Sequence, residues 1–159
     1  MPTAHYERVR EFMQRAGQET PDQPTIPDAA TRVLRAKLIV EEALETVAAL
    51  GVELSVHASS AVADQVTIGR DADLNFQATG DVDLEGVVDG CADISVVTMG
   101  TLIAFGVDDD AVLQEVDQAN LRKFAPGSYR REDGKWMKPP DWRPPNILGV
   151  VGEVATNGD

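Results

Sequence analysis

The stretch Glu41-Glu42-Ala43-Leu44-Glu45 decides how this chain is read. Around it the apolar residues Val33, Leu34, Leu38, Val40, Leu44 and Val47 recur at helical spacing, which predicts a helix with the acidic group in its middle. Asp28 or Thr31 can cap that helix, and it runs to about Leu50, with Gly51 as its stop. Residues three and four apart on a helix share a face, so Glu41 and Glu42 both stand beside Glu45. Like charges so placed repel by roughly a few tenths of a kcal/mol per pair. A second acidic group follows at Asp89-Gly90-Cys91-Ala92-Asp93, with Glu85 one turn earlier. Glu85, Asp89 and Asp93 form one stripe. The stretch beyond it, residues 94–105, is apolar nearly all round, the pattern of a buried helix. Carboxylates that begin a buried helix need a cation, and a hard divalent metal is the obvious candidate.

Composition bounds what else the chain can be. Its 159 residues predict one domain, placed at residues 1–150, with a flexible tail at 151–159. Hydrophobic residues at 43% allow a core, and aromatics at 5% leave Leu, Val, Ile and Ala to build it. The net charge of −13, from 14 basic and 27 acidic residues, argues against binding nucleic acid or anionic membrane through a basic surface. It also opposes a phosphate-bearing substrate unless bound divalent cations reverse the sign locally. The single Cys91 excludes an internal disulfide and fits a reducing compartment. No apolar run reaches about 18 residues, and the N-terminus has no basic-then-apolar signal pattern. A soluble cytosolic protein is expected.

Residues 5–16 predict a first helix with Val9, Phe12 and Met13 on one face and Gly17 as its stop. Pro21, Pro24 and Pro27 keep the next segment extended or turned. Residues 52–80 change character: Val52, Leu54 and Val56 alternate with polar residues, as do Val66 and Ile68, then Leu74 and Phe76. Two or three short strands are expected there, a hairpin-like insertion between helices. Asp81 or Asp83 can cap the third helix, which Gly106 ends, and Asp108 or Asp109 a fourth that runs to Lys123. From Pro126 the chain is turn-rich. The fold class is therefore mainly α, a helical bundle with a small β-hairpin-like insertion.

Acidic runs on helices usually face solvent. Two such groups, each beside an apolar face and with Lys37 the only close lysine, favour facing carboxylates that hold metal in a helix bundle. His5 and His57 lie near neither group, so the Glu-x-x-His sets of di-iron bundles are absent. His57 has no second His or Cys nearby and is expected to be an ordinary residue. All-oxygen ligands point to Mg²⁺ or Mn²⁺. Asn120, Arg122 and Lys123 end the fourth helix. They suit phosphate or base contacts, or simply favour the helix C-terminus electrostatically. Arg130, Arg131, Lys135 and Lys138 make the following segment the most basic one. Trp136 and Trp142 suit packing anchors better than base-stacking platforms.

Glu-Glu-x-x-Glu on one helix, with a second acidic motif on the next, resembles the all-α nucleotide pyrophosphohydrolases. These include the MazG proteins, the dimeric dUTPases and the phosphoribosyl-ATP pyrophosphohydrolases. Val9-Arg10-Glu11-Phe12 with Gly17-Gln18, residues 89–93, Gly100-Thr101 and Ala104-Phe105-Gly106-Val107-Asp108 look like the phage-type MazG-like branch. So do Glu115-Val116, Asn120-Leu121-x-Lys123 and Arg130-Arg131-Glu132-Asp133-Gly134-Lys135 before Lys138-Pro139-Pro140. The resemblance covers nearly all of residues 5–147. It extends to the MazZ diphosphohydrolases of phages that replace adenine with 2-aminoadenine in their DNA. Two positions depart from the pattern: the usual Glu-x-x-Asp would put its first carboxylate at Gly90, whereas Asp89 supplies it here, and Asp117 stands where the branch often has His.

The resemblance implies a nucleoside triphosphate diphosphohydrolase that turns a (d)NTP into (d)NMP and pyrophosphate, with dGTP, GTP and dATP as expected substrates. It implies two or more Mg²⁺ or Mn²⁺ ions held by Glu42, Glu45, Asp89 and Asp93. Glu41 would act as a base or orient the attacking water, and Asn120, Lys123 and Lys138 would contact the nucleotide. A homo-oligomer is expected, a tetramer or else a dimer, because family members assemble and so apolar a third helix needs cover. The host-cell cytosol would be its place, as a phage protein. The competing expectations are a non-catalytic acidic oligomerisation module and a nucleotide sensor that keeps the metal site without turnover.

Overall fold

A computed structural model describes residues 1–57, 73–132 and 134–152. It is mainly helical, as the sequence leads one to expect, with two small two-stranded sheets. Helices α1 (Ala4–Arg15) and α2 (Ala29–Ala49) precede strands β1 (Val52–His57) and β2 (Asp73–Ala78). Helices α3 (Leu84–Ala104) and α4 (Asp109–Leu121) follow, then a 3₁₀ turn at Arg122–Phe124. Strands β3 (Tyr129–Arg130) and β4 (Trp136–Met137) and the short α5 (Ile147–Val151) complete the order. The expected strand residues Val66 and Ile68, the motif residue Asp133, the side chain of His57 and the tail after Gly152 lie outside the described residues. The chain forms two compact units, Met1–Arg32 with Met99–Asp159, and Val33–Thr98.

In the unit Val33–Thr98, β1 and β2 pair antiparallel, Val52 opposite Ala78 and Leu54 opposite Phe76, in keeping with the alternation of the sequence. The hairpin joins α2 to α3 through a tight corner. Gly51 sits at φ +66°, a left-handed conformation that favours glycine, and a Cβ there would run into the Asp81 carbonyl. The Gly51 carbonyl accepts from the Thr79 amide at 2.7 Å and its hydroxyl at 2.9 Å. Of the two candidate caps, Asp83 caps α3: its Oδ1 accepts from the Gly86 amide at 3.1 Å. The Asp83 amide in turn donates to the Ala49 carbonyl at 2.9 Å, so the start of α3 is tied to the end of α2.

The apolar pattern found the helices but not what covers them. On α2, Val33, Leu34, Val40 and Leu44 are exposed, and the buried residues are Arg35 and Thr46. On α3, Val97, Met99, Ile103 and Ala104 are buried, whereas Leu84 and Val88 are 72% and 64% exposed. Leu84 and Val88 lie before the stretch 94–105 expected to be buried; within that stretch only Ser95 and Thr98 are exposed. Small residues in the first turns, Gly86 and Gly90, meet α2, which leaves the bulky side chains facing outward. By length and composition α3 is apolar enough to cross a membrane, but Glu85, Asp89 and Asp93 make its first turns acidic, and Val97, Met99, Ile103 and Ala104 are buried within the protein.

In the other unit, Thr3 caps α1 by accepting from the Tyr6 amide at 3.2 Å. Tyr6, Val9 and Met13 are its buried face, and Phe12 is 62% exposed, a correction to the face expected from sequence. Asp109 is fully buried. It accepts from the Thr3 amide at 3.0 Å and the Thr3 hydroxyl at 2.6 Å. Asp108 occupies the N-cap position of α4 but makes no side-chain capping bond; its neighbour Asp109 is used to hold α1 instead. The proline-bearing segment crosses the end of α3, where the Thr25 amide donates to the Phe105 carbonyl at 3.0 Å. Gly106, at φ +65°, lies so close to the Gln23 carbonyl that no side chain fits.

Residues 136–146 run back along α4. The Trp136 indole N–H donates to the Lys123 carbonyl at 2.9 Å, the Trp142 indole to Ala119 at 2.9 Å, and the Asn146 amide to Glu115 Oε1 at 3.0 Å. Both tryptophans are packing anchors with their polar edge satisfied. The sequence showed only turns here; in the structure β3 and β4 pair antiparallel, and Asn146 caps α5 through the Gly149 amide at 3.1 Å.

Two outcomes follow for stability. Replacing Asp109 with Ala strands a buried amide and hydroxyl, and urea unfolding should show a loss of about 2 kcal/mol or more. Asp109→Asn, which keeps one acceptor oxygen, should lose less; equal losses would argue against the hydrogen bonds as the cause. The second outcome concerns pH. The Asn146 amide, foremost, and the Arg122 guanidinium hold the Glu115 carboxyl below its usual range, against an opposing effect of burial. A depressed folded pKa adds stability that is full above the unfolded pKa and is lost as pH falls through the folded value. The gap in melting temperature between wild type and Glu115→Gln should therefore narrow from about pH 7 to about pH 3. A gap that stays constant would rule this contribution out.

Candidate active site

Three residue pairs fix how α2 and α3 run past each other. A Cβ on Gly86 would lie 3.1 Å from Ala49 Cβ. A Cβ on Gly90 would meet the Thr46 hydroxyl. One turn further, Glu42 feels the charge of Asp93. Positions climb on α3 as they fall on α2, so the two helices are antiparallel. The acidic groups, far apart in sequence, come to the same level of this helix pair.

Glu42 is the centre of the group. It is half-buried, and its carboxyl is pushed above the usual range, by burial first and then by Asp93, Glu45, Glu41 and Asp89. Both causes act in the same direction, because low dielectric and neighbouring negative charge each disfavour the carboxylate. Asp93 is half-buried as well, while Glu41, Glu45 and Asp89 are exposed. Of the acidic residues expected at the site, Glu41, Glu45, Asp89 and Asp93 are thus near enough for their charges to act on Glu42. Glu85, the first of the α3 stripe, is not among the charges that shift Glu42. Among the described residues no group of three or more His, Cys, Asp or Glu side chains stands close enough together to hold a metal ion. The carboxylates that surround Glu42 are oxygen donors only, the donor type that hard divalent cations take.

Thr46 is the residue that sequence reasoning missed. It is buried, and its hydroxyl donates to the Glu42 carbonyl at 2.7 Å. Gly90, buried opposite it, carried a visible signal: an isolated glycine inside a helical pattern often marks a packing requirement.

The predicted nucleotide contacts form a group of their own in the unit that holds α4. Lys123 Nζ donates to Asn120 Oδ1 at 2.7 Å. Lys138 Nζ lies 3.6 Å from the centroid of the Trp142 ring, and Lys123 Nζ lies 5.9 Å from it. Lys138 and, at longer range, Lys123 thus lie over the Trp142 ring, with Asn120 bonded to Lys123. Asp117 stays exposed on α4.

The profile of the phosphoribosyl-ATP pyrophosphohydrolase (PRA-PH) family matches residues 9–120. No curated protein matches the chain. The matched span contains both acidic helices and ends at Asn120. It covers more than half of the chain, which therefore belongs to the phosphoribosyl-ATP pyrophosphohydrolase family, within the MazG-like all-α nucleotide pyrophosphohydrolases.

Proposed function

We propose that this pyrophosphohydrolase is a metal-dependent nucleoside triphosphate diphosphohydrolase: (d)NTP and water give (d)NMP and pyrophosphate. The observation that carries this reading is Glu42, half-buried and crowded by Glu45 and Glu41 on its own helix and by Asp93 and Asp89 on α3. So much like charge is costly unless a cation is meant to sit in it. Glu42, Glu45, Asp89 and Asp93 would hold two or more Mg²⁺ or Mn²⁺ ions. Bound there, such ions neutralise a triphosphate and lower the pKa of a water.

The chain's own residues then have distinct tasks. Glu41, exposed beside the ligands, accepts the proton of the water that attacks the α-phosphorus, or orients that water. As the new oxygen–phosphorus bond forms, the bond to the bridging oxygen breaks and pyrophosphate leaves. Lys123, held by Asn120, and Lys138, held over Trp142, are positioned cations for the nucleotide. The preferred substrate in this proposal is dGTP, with GTP and dATP accepted, in a phage that carries 2-aminoadenine in its DNA. Removal of dATP would deplete ordinary adenine, and dGMP would feed the 2-aminoadenine nucleotide. The exposed apolar residues of α2 and α3 support a homotetramer.

Pyrophosphate release from the eight common NTPs and dNTPs and from phosphoribosyl-ATP, with Mg²⁺, Mn²⁺ or chelator, tests the reaction. Metal-dependent release with monophosphate as co-product is expected, and a purine deoxynucleotide preference would support the phage reading. Turnover of phosphoribosyl-ATP alone would replace the substrate proposed here, and no turnover at all would favour a sensor or a non-catalytic module. Glu45→Gln should lower turnover by more than about 100-fold, beyond what the partners of metal ligands usually contribute; full activity would overturn the ligand set.

Stability gives a separate check. In chelator, Glu42→Gln removes one of the mutually repelling charges and should melt higher than wild type. Divalent ions should raise the melting temperature of wild type by mass action, and that rise should shrink in the variant. An identical rise in both proteins would mean that Glu42 is no ligand.

A further inference from the structure

Gly90 lies beside the acidic stripe of α3, three before Asp93, where the resemblance would put a carboxylate, and the surroundings of Gly90 give the reason. A Cβ added there would collide with the Thr46 hydroxyl, lie 3.1 Å from Thr46 Cβ and 3.3 Å from Thr46 Cα. The hydroxyl is the severe clash; the contacts with Cβ and Cα ask for a shift of only a few tenths of an ångström. The hydroxyl is also committed, through its 2.7 Å bond to the Glu42 carbonyl one turn away. A turn closer to the hairpin, Gly86 repeats the arrangement against Ala49. Two glycines four apart thus form a shallow groove on α3 that receives Ala49 and Thr46. At this spacing no side chain fits at position 90, and the α3 carboxylate has moved to Asp89, four before Asp93 and still on the same face.

We propose that the Thr46–Gly90 contact is the positioning element of the carboxylate group. It sets the approach of α2 to α3, and so the distance over which Glu42 and Glu45 share a cation with Asp89 and Asp93. Thr46 and Gly90 touch neither substrate nor metal in this scheme; they act through the helix spacing. The inference rests on the proposed metal-dependent reading of the same site and adds the residues that hold it in register.

A double-mutant cycle on the full chain tests it, with Mn²⁺ affinity read from the electron paramagnetic resonance of the free ion. Far-ultraviolet circular dichroism and melting in chelator check the fold. Gly90→Ala should stay helical and bind Mn²⁺ at least about 10-fold more weakly, the scale seen when residues that orient ligands are lost. Adding Thr46→Ala, which removes the hydroxyl that the new methyl group at position 90 would strike, should restore affinity to within about 3-fold of wild type, a non-additive result. Thr46→Ser, which keeps the hydroxyl, should bind as wild type does. If Gly90→Ala fails to fold, the double variant decides: folding with near-normal Mn²⁺ affinity supports the proposal, and failure to fold or bind overturns it. Wild-type affinity in Gly90→Ala, or no rescue in the double variant, overturns the positioning role while leaving the metal site standing. No Mn²⁺ binding by wild type removes both.

Discussion

Glu42 stands among Glu41, Glu45, Asp89 and Asp93, and burial and every one of those neighbours make its ionisation harder. That repulsion is the constraint on the unit Val33–Thr98. Two helices that carry such charges have to be held together at the same level by other means. The means lie at the hairpin end of the pair: the Asp83 amide on the Ala49 carbonyl, the turn at Gly51, Thr79 on the Gly51 carbonyl, and the cap that Asp83 provides for α3. Uncharged Ala49, Thr46, Gly86 and Gly90 then bring the helices close just before the carboxylates begin. Packing and repulsion are neighbours along the same helix pair, within about one helical turn of each other. Such an arrangement is tense without a counter-ion and relaxed with one.

The unit with α1 and α4 uses its charges in the opposite way. Asp109 is completely buried, yet both of its oxygens accept from Thr3, so its burial is matched by hydrogen bonds. Glu115 accepts from Asn146 and Arg122 and is lowered, where Glu42 is raised. A structural carboxylate is surrounded by donors. Glu42 is surrounded by other acceptors. The contrast separates two kinds of acid in one chain by their partners alone, and it makes the α2–α3 group the functional-site candidate of the chain.

Sequence pattern was a good guide to the elements and a poor one to their cover. Helical spacing placed α1 to α4 within a few residues of their bounds, and glycines 51 and 106 ended helices because a left-handed turn follows each. The acidic residues were legible because their i, i+4 spacing defines a face without reference to any neighbour. Phe12, Val33, Leu34 and Val40 misled, since periodicity identifies an apolar face but not the surface that meets it. Thr46 was invisible for a related reason: its importance lies in a contact with Gly90, more than 40 residues along the chain. The strapping of residues 136–146 on α4 was equally hidden, because it depends on indole N–H groups finding particular backbone carbonyls. No spacing rule encodes that.

Net charge then bears on chemistry. A chain at −13 repels a triphosphate at long range, although salt screens most of that beyond about 8–10 Å. What matters is the local sign. Lys123 and Lys138 are gathered on Trp142 rather than spread over the surface, which concentrates positive charge in an acidic protein. The carboxylates round Glu42 carry the opposite sign, and among the described residues no lysine or arginine is among the charges that shift Glu42. Divalent ions bound there would each bring two positive charges. Carboxylates not neutralised by fixed basic side chains would be able to take up and release such ions, as the proposed hydrolase must in order to let go of pyrophosphate.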